Sequence, residues 1–175
     1  MRQGLIHVYY GDGKGKTTAA AGLALRAAGC GEQVIFAQFM KGNESGELSA
    51  MERIKEIELL RNSKNYGFYK NMDDRDKREI TWEHNEILKE VMRKIKSGGY
   101  GMVILDEITY PYKLNLIEKY EVERLIKEKP SSLELVLTGR EPDELFLEYA
   151  DYITQMRCIR HPYEKGIPAR RGVEF

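Results

Sequence analysis

The sequence is poor in cysteine. Its 175 residues include two cysteines, Cys30 and Cys158, which lie far apart and have no C-x-x-C neighbour. This spacing excludes a disulfide framework and the usual arrangement of zinc ligands. We therefore expect two reduced thiols in a cytoplasmic protein.

Long hydrophobic runs are also lacking. No apolar run approaches the ~20 residues that a helix needs to cross a bilayer. The first ten residues, MRQGLIHVYY, are too short and too polar for a signal peptide. We expect no membrane partner.

The chain has no excess of charge of either sign. Lys and Arg together number 28, and Asp and Glu together also number 28. This balance argues against a nucleic-acid-binding protein that relies on bulk positive charge, but it leaves a local basic patch open. With 42% hydrophobic and 32% charged residues, the composition is that of a globular protein, and the length fits a single domain over 1–175.

What the sequence does contain is a regular alternation of apolar runs and helical patterns. The predicted strands lie at 5–10, 33–39, 57–61, 101–108, 133–140 and 151–159, and the predicted helices at 17–29, 46–57, 73–97, 118–129 and from 141. Such alternation is typical of parallel βαβ units. It predicts a three-layer α/β domain with a mostly parallel sheet of about six strands.

Polar segments follow or close four of these strands, at 11–18, 41–42, 106–107 and 138–140. Ligands of parallel α/β sheets bind at the carboxyl ends of the strands. We therefore expect the four segments to converge at one edge of the sheet.

The segment YYGDGKGKTTAA, from Tyr9 to Ala20, has the pattern of a phosphate-binding loop between a strand and a helix. Its glycines let backbone N–H groups point at an anion. Lys16 would reach phosphate oxygens, and the Thr17 hydroxyl is a candidate Mg²⁺ ligand. A flexible glycine turn is the alternative. The loop therefore predicts a phosphate-loop NTPase-like (RecA-like) fold.

The glycine spacing of this loop departs from the common pattern. In G-x-x-x-x-G-K-[ST] the first glycine lies five positions before the second. Five positions before Gly15 is Tyr10, and the glycine is found at Gly11 instead. The loop is effectively one residue shorter, so we expect it to hold phosphates differently from an ordinary ATPase.

Charged residues at two other strand ends complete the candidate site. Asp106 and Glu107 close an apolar strand and resemble the second half of an NTPase metal site. A helix-capping aspartate is the alternative. Arg140, after Thr138 and Gly139, suits bidentate contact with phosphate. A purely structural arginine is the alternative.

Together these residues resemble the ATP:corrinoid adenosyltransferases of the phosphate-loop type, the cob(I)alamin adenosyltransferases. The matching segments span almost the whole chain in the family's order. They are GDGKGKTTAA (11–20), QFMKG (38–42), GF (67–68), VILDEITY (103–110), LTGR (137–140), AD (150–151) with ITQM (153–156), and RHPYEKGIPARRGVEF (160–175).

The resemblance implies that the 5′-deoxyadenosyl group of ATP moves to the cobalt of a reduced corrinoid, such as cobalamin, with release of triphosphate. It also implies that ATP lies reversed in the loop, with C5′ facing outward. Cob(I) is itself the nucleophile, so we expect no side-chain acid, base or nucleophile. Lys16 and Arg140 would stabilise the transition state, and Thr17, Asp106 and Glu107 would bind Mg²⁺. The implied ATP-binding residues are Gly11, Asp12, Gly13, Lys14, Gly15, Lys16, Thr17, Thr18, Lys41 and Arg140.

The resemblance further implies that aromatic residues crowd the lower face of the cobalt and so ease its reduction. The candidates are Tyr66, Phe68 and Tyr69. The family often has Gly-Phe-Thr-Trp here, whereas this chain has Gly67-Phe68-Tyr69-Lys70. Phe68 or Tyr69 would then act as the hydrophobic wedge. Ordinary packing of a loop is the alternative.

The three histidines and the single tryptophan are interpreted separately from the candidate site residues. His7 and His84 are interpreted as structural residues, and His161 as either a structural residue or a ligand contact. Trp82 lies off the apolar stripe of its helix, where it would cover a subunit contact or pack on a loop.

Closure of the site is expected from 41–70 and from the tail at 160–175. Several relatives carry an N-terminal extension over the active site, whereas four residues precede the first strand here. The tail is either a frayed terminus or orders over ATP.

Two other functions stay open: a kinase or ATPase that attacks the γ-phosphate, and a non-catalytic nucleotide-binding module. The resemblance further implies a homodimer and a separate reductant such as a flavoprotein.

Overall fold

The computed structural model describes residues 3–42, 45–62 and 64–174. Within these ranges, six strands form one sheet. They are β1 (Ile6–Tyr10), β2 (Gln33–Gln38), β3 (Ile57–Arg61), β4 (Tyr100–Asp106), β5 (Glu134–Gly139) and β6 (Tyr152–Gln155). The spatial order is β3-β2-β4-β5-β1-β6, and every neighbouring pair is parallel.

Helices connect the strands. They are α1 (Lys16–Gly29), α2 (Gly46–Met51), α3 (Asp74–Ser97), α4 (Thr109–Lys113), α5 (Lys119–Glu128) and α6 (Glu144–Tyr149). Short 3₁₀ helices cover Tyr69–Asn71 and Pro162–Lys165. Within the described ranges, no helix has the length and apolar character needed to cross a membrane.

Apolar side chains cover both faces of the sheet. On one face, the small residues Ala20 and Ala24 let α1 pack closely against Val34, Phe36 and Ile104. On the other face, α3 and α5 cover the strands. The core residues there include Ile35, Val103, Leu105, Leu135, Leu137, Ile87, Leu88, Val91, Val122 and Leu125. The predicted three-layer α/β fold with a parallel sheet of six strands is confirmed.

The long helix α3 has the boundaries that its sequence predicts. The Asp73 carboxylate accepts a hydrogen bond from the Asp76 N–H at 2.8 Å and caps the first turn. Gly98, with φ 80°, ends the helix. Trp82 is 63% exposed and lies off the apolar stripe, as predicted.

Two predicted elements end well before their predicted last residue, and one α-helix was not predicted. Helix α2 ends at Met51 rather than at 57, and β6 ends at Gln155 rather than at 159. Beyond β6, the Met156 N–H still donates to the Tyr10 carbonyl of β1, but the Met156 carbonyl accepts from the Gly13 N–H of the glycine loop. Helix α4 was not predicted, because it has only five residues and contains Pro111.

Candidate nucleotide and corrinoid site

The glycine loop after β1 is held tightly against the end of β6. The Gly13 N–H donates to the Met156 carbonyl at 2.7 Å, and the Gly11 N–H donates to the Arg140 carbonyl at 3.1 Å. A Cβ atom would lie 2.3 Å from the Met156 oxygen at Gly11 and 2.7 Å from it at Gly13. Gly11 and Gly15 also have positive φ, 117° and 115°. Close contact with Met156 therefore excludes a side chain at Gly11 and Gly13, and the backbone conformation disfavours one at Gly11 and Gly15.

These contacts change which amides face an anion. The N–H groups of Gly11 and Gly13 are already bonded to protein carbonyls, so they are not part of a phosphate cradle in this state. Helix α1 begins just after them, and Gly15 at its N-cap gives it no side-chain cap within the described residues. The first N–H groups of α1 are therefore available as donors for an anion.

Lys16 is buried beneath the loop. Its ammonium donates to the Gly13 carbonyl at 2.8 Å. Burial lowers the pKa of Lys16, the nearby carboxylate of Glu107 opposes this, and the positive charges of Arg140 and Lys41 lower it further. A buried cation beside two others is electrostatically unfavourable, so a bound anion would relieve the repulsion.

A buried carboxylate lies at the centre of the site. The Asp106 side chain is fully buried and accepts hydrogen bonds from residues on three other elements. Thr17 donates at 2.9 Å, Gln38 at 2.9 Å and Thr138 at 2.7 Å. Strand β5 lies between β1 and β4, and Gln38 and Asp106 are register partners at the ends of β2 and β4. The sheet itself therefore assembles this network.

Lys41 supplies the cation of this network. Its Nζ lies 3.1 Å from Thr17 Oγ1, 3.3 Å from Asp106 Oδ2 and 3.7 Å from Glu107 Oε1. The candidate metal ligands are therefore brought together around one ammonium group. Within the described ranges, no group of three or more His, Cys, Asp or Glu side chains could hold a metal ion alone.

Two left-handed residues shape the backbone at this edge. Met40 has φ 62° and Glu107 has φ 61°, which is uncommon outside glycine. The Met40 N–H donates to His84 Nε2 at 3.2 Å, and the Glu107 N–H donates to Thr138 Oγ1 at 2.9 Å. Lys41, Thr17, Asp106 and Glu107 are called the ionic cluster below. Met40 directly precedes Lys41, and Glu107 directly follows Asp106.

Two cavities adjoin across this cluster. The first, the loop cavity, has a volume of about 520 Å³ and is lined by residues 14–18, among others. The second, the aromatic cavity, has a volume of about 630 Å³ and is lined by Phe68, Tyr69, Tyr110 and Arg140, among others. Both are lined by Lys41, Glu47, Glu107 and Glu174.

The candidate aromatic residues are not equivalent. Phe68 is 83% exposed on the wall of the aromatic cavity, and Tyr69 lines the same wall. Tyr66 and Tyr69 both pack against the apolar cluster of Met72, Ile80 and Leu116, but Tyr66 is not among the residues that line the aromatic cavity. Burial raises the pKa of Tyr66, and the carboxylates of Glu83 and Glu79 raise it further. Tyr66 therefore supports the wall and does not face the cavity.

The remaining predicted ligands also separate. Thr18 lines the loop cavity and Arg140 the aromatic cavity. The Asp12 carboxylate accepts a hydrogen bond from the Cys158 N–H at 3.1 Å, which directs it to the chain after β6 and away from the loop cavity. The Lys14 ammonium donates to the Val173 carbonyl at 2.7 Å. The tail therefore lies against the loop.

The three histidines lie apart, as the sequence indicated. His84 is fully buried, and its Nδ1 donates to the Leu116 carbonyl at 2.9 Å. Burial lowers the pKa of His84 to about 4, so it is neutral near pH 7. His7 pairs with Glu134 on β5, and His161 begins the last 3₁₀ helix.

Sequence reasoning missed two contributors. Gln38 was part of a quoted motif but had no role assigned, and His84 had no link to the site. Only the strand pairing of β2 with β4 and the packing of α3 reveal them.

Comparison with known proteins places these features in a family. Residues 2–175 match the family model described as ATP:corrinoid adenosyltransferase BtuR/CobO/CobP. The corrinoid adenosyltransferase of Escherichia coli K12 is 32% identical over 175 residues, covering 99% of this chain and 86% of that protein. A corrinoid adenosyltransferase of Sinorhizobium sp is 37% identical over 179 residues, covering 99% and 81%.

A structural comparison supports the fold alone. ATPases 2 and 3 of EssC from Geobacillus thermodenitrificans superpose with a TM-score of 0.53 at 11% identity. The match covers 97% of this chain and 35% of that chain. It agrees with the predicted phosphate-loop NTPase-like fold.

Proposed function

The chain belongs to the ATP:corrinoid adenosyltransferase family, and we propose how its residues perform the family's reaction. That reaction moves the 5′-deoxyadenosyl group of ATP to the cobalt of a reduced corrinoid and releases triphosphate. It serves the synthesis or salvage of adenosylcobalamin. The chain is thus a transferase of alkyl groups that uses ATP and a corrinoid as substrates.

One observation carries the proposed arrangement: the loop cavity and the aromatic cavity share a wall of charged residues. The loop cavity offers Lys14, Lys16 and the N-terminus of α1, which suit a triphosphate. The aromatic cavity offers Phe68 and Tyr69, which suit the flat face of a corrinoid. Between the two, C5′ of ATP would meet the cobalt.

We assign the cation site to Thr17, Asp106 and Glu107. Their oxygens converge on Lys41 Nζ, so a position within reach of all three exists. Gln38 Oε1 is buried and has no hydrogen-bond partner among the described residues, which leaves an acceptor for a metal-bound water. Mg²⁺ bound here supplies charge stabilisation to the triphosphate.

The chemical step needs no proton transfer by the protein. The electron pair of Co(I) forms the bond to C5′, the bond between C5′ and its oxygen breaks, and triphosphate leaves with the electron pair of that broken bond. Lys16 and Arg140 stabilise the negative charge on the leaving group. The walls of the two cavities orient the reactants and limit the access of water.

Phe68 and Tyr69 are assigned to the corrinoid, and Tyr66 is assigned a supporting role behind them. The exposure of Phe68 in the free protein suits a residue that is covered when substrate binds. Lys70, next to them, is exposed and replaces the tryptophan that the family often has.

The surroundings of the enzyme follow from its substrates. We propose that residues 1–175 act as one domain in the cytoplasm, where ATP and reduced thiols are found. We also propose that the enzyme works as a homodimer and takes its electrons from a separate reductant such as a flavoprotein. Both cysteines are free thiols in the structure, which supports this compartment.

The products decide between this function and its alternatives. Purified protein with ATP, Mg²⁺ and chemically reduced cobalamin should release triphosphate in step with adenosylcobalamin, and only when the corrinoid is present. Release of ADP would indicate attack at the γ-phosphate instead. No turnover with any reduced corrinoid would indicate a binding module.

A further inference from the structure

Lys41 occupies the position at which the cation site binds positive charge. Its Nζ lies 3.1 Å from Thr17 Oγ1, 3.3 Å from Asp106 Oδ2 and 3.7 Å from Glu107 Oε1. The three oxygens are those that the proposed function assigns to Mg²⁺. An ammonium group and a metal ion contacting the same three oxygens would lie within a few ångströms of each other and repel strongly.

The Lys41 ammonium also neutralises a buried carboxylate in the free protein. The Asp106 carboxylate is fully buried, and its three other hydrogen-bond donors, from Thr17, Gln38 and Thr138, are neutral. A buried carboxylate without a cation is strongly unfavourable. Lys41 neutralises it, so the free protein does not require a metal ion at this point.

Lys41 has a side chain that is free to move away from these oxygens. Its side chain is 39% exposed, whereas that of Asp106 is 0% exposed. Its backbone is anchored, because the N–H of the preceding Met40 is bound by His84. The flexible lysine side chain can therefore turn into either of the two cavities that it lines while its Cα stays in place.

We propose that Lys41 and the divalent cation compete for one set of oxygens, so that the metal enters with ATP and not before it. Free Mg²⁺ must displace Lys41 with only water as its further ligands. Mg²⁺ on ATP brings phosphate oxygens, which complete its shell and also give the displaced ammonium a new anionic partner. This inference rests on the proposed cation site.

The test is a titration of the nucleotide-free protein with Mn²⁺, followed by EPR. Lys41→Met removes the charge and keeps the length, so it should bind free Mn²⁺ at least about tenfold more tightly than the unmodified protein. It should bind Mn²⁺ with ATP less tightly than the unmodified protein, because the ammonium that contacts the phosphates is gone. Lys41→Arg keeps the charge and should remain weak. Lys14→Met removes a charge from the same loop cavity but not from these oxygens, so it should change the affinity for free Mn²⁺ little.

Two results would overturn the competition. One is a Lys41→Met protein that binds free Mn²⁺ no more tightly than the unmodified protein. The other is an equal gain in Lys14→Met. That gain would show that the affinity for free Mn²⁺ depends on the overall positive charge around the loop cavity and not on competition for these three oxygens. Asp106→Asn separates this failure from failure of the cation site itself: if it leaves the binding of Mn²⁺ with ATP unchanged, the assigned ligands are wrong.

Discussion

The N–H of Met40, a residue with φ 62°, donates to Nε2 of the fully buried His84 at 3.2 Å. The other ring nitrogen donates to the Leu116 carbonyl at 2.9 Å. A neutral imidazole can make both bonds, whereas a protonated one cannot accept from Met40. His84 thus ties the turn that carries Lys41 to helix α3.

This tie predicts a pH dependence of stability. Burial lowers the pKa of His84 from 6.5 to about 4, so between these values the unfolded chain binds a proton that the native protein does not. Stability should therefore fall as pH falls through this window, by about 3 kcal/mol from this group alone. His84→Gln should be less stable near pH 7.5 but should lose less on acidification.

Urea denaturation at pH 7.5 and at pH 4.5 measures the difference. His161→Gln, at an exposed position, is the matched control and should follow the unmodified protein. Equal acid sensitivity of His84→Gln and the unmodified protein would contradict the role of a neutral, buried imidazole.

Thr138 is predicted to order the metal-binding edge through its hydroxyl. It donates to Asp106 at 2.7 Å and accepts from the Glu107 N–H at 2.9 Å. Thr138→Val keeps the shape but leaves a partly buried N–H and a buried carboxylate oxygen without this partner, which should cost about 1–3 kcal/mol of unfolding free energy and raise the KM for ATP. Thr154→Val, on the exposed strand β6, should cost much less. Equal losses in the two variants would argue against this role.

The tight packing of the loop gives a paired glycine test. Gly13→Ala would place a Cβ 2.7 Å from the Met156 oxygen, whereas Gly22→Ala on α1 would meet no atom within 4 Å. We expect Gly13→Ala to weaken ATP binding by about tenfold or more, measured by calorimetry. Gly22→Ala should stabilise the protein by about 0.5–1 kcal/mol and leave ATP binding intact. Normal affinity in Gly13→Ala would show that the loop need not stay against Met156.

The tail is predicted to close over ATP. Gly172, Val173 and Glu174 line the loop cavity, and Lys14 binds Val173 and Glu174. Truncation after Cys158 removes them and keeps the Met156 contact of the loop. We expect ATP affinity to fall by about tenfold, equivalent to about 1.4 kcal/mol, with little change in melting temperature. Unchanged affinity and turnover would indicate a frayed terminus.

Phe68 is predicted to serve the corrinoid and not ATP. Phe68→Ala should raise the KM for cobalamin about tenfold and leave the KM for ATP unchanged, because burying a phenyl ring contributes about 1.5–3 kcal/mol. Trp82→Ala, which truncates another exposed aromatic side chain, should change neither value. A rise in the KM for ATP with no change in the KM for cobalamin would contradict the assignment of Phe68 to the corrinoid.

The fold was predictable because its signals are local. Apolar runs such as 101–106 and helical stripes such as that of α3 repeat within single segments, and the rule for parallel sheets then brings the polar strand ends together. The enzyme family was recognisable from motifs along almost the whole chain. The roles of individual residues in the site remain proposals.

What could not be predicted depends on contacts between distant segments. The Gly13 N–H is bonded to Met156 because β6 ends where it does, and no local pattern encodes that end. Tyr66 was grouped with Phe68 and Tyr69 from sequence, but Phe68 and Tyr69 line the aromatic cavity, whereas Tyr66 packs against the cluster around Met72 without lining that cavity. Gln38 reaches Asp106 only because β2 pairs with β4.

The central claim is that the loop holds the triphosphate with the ribose turned toward the aromatic cavity. A crystal structure with Mg²⁺, ATP and a corrinoid that is not reduced to Co(I) tests it most directly. The distances from the cobalt to C5′ and to the γ-phosphorus should show C5′ nearer, with the triphosphate beside Lys16 and Thr17. A γ-phosphorus that points into the aromatic cavity, with C5′ buried in the loop cavity, would contradict the account.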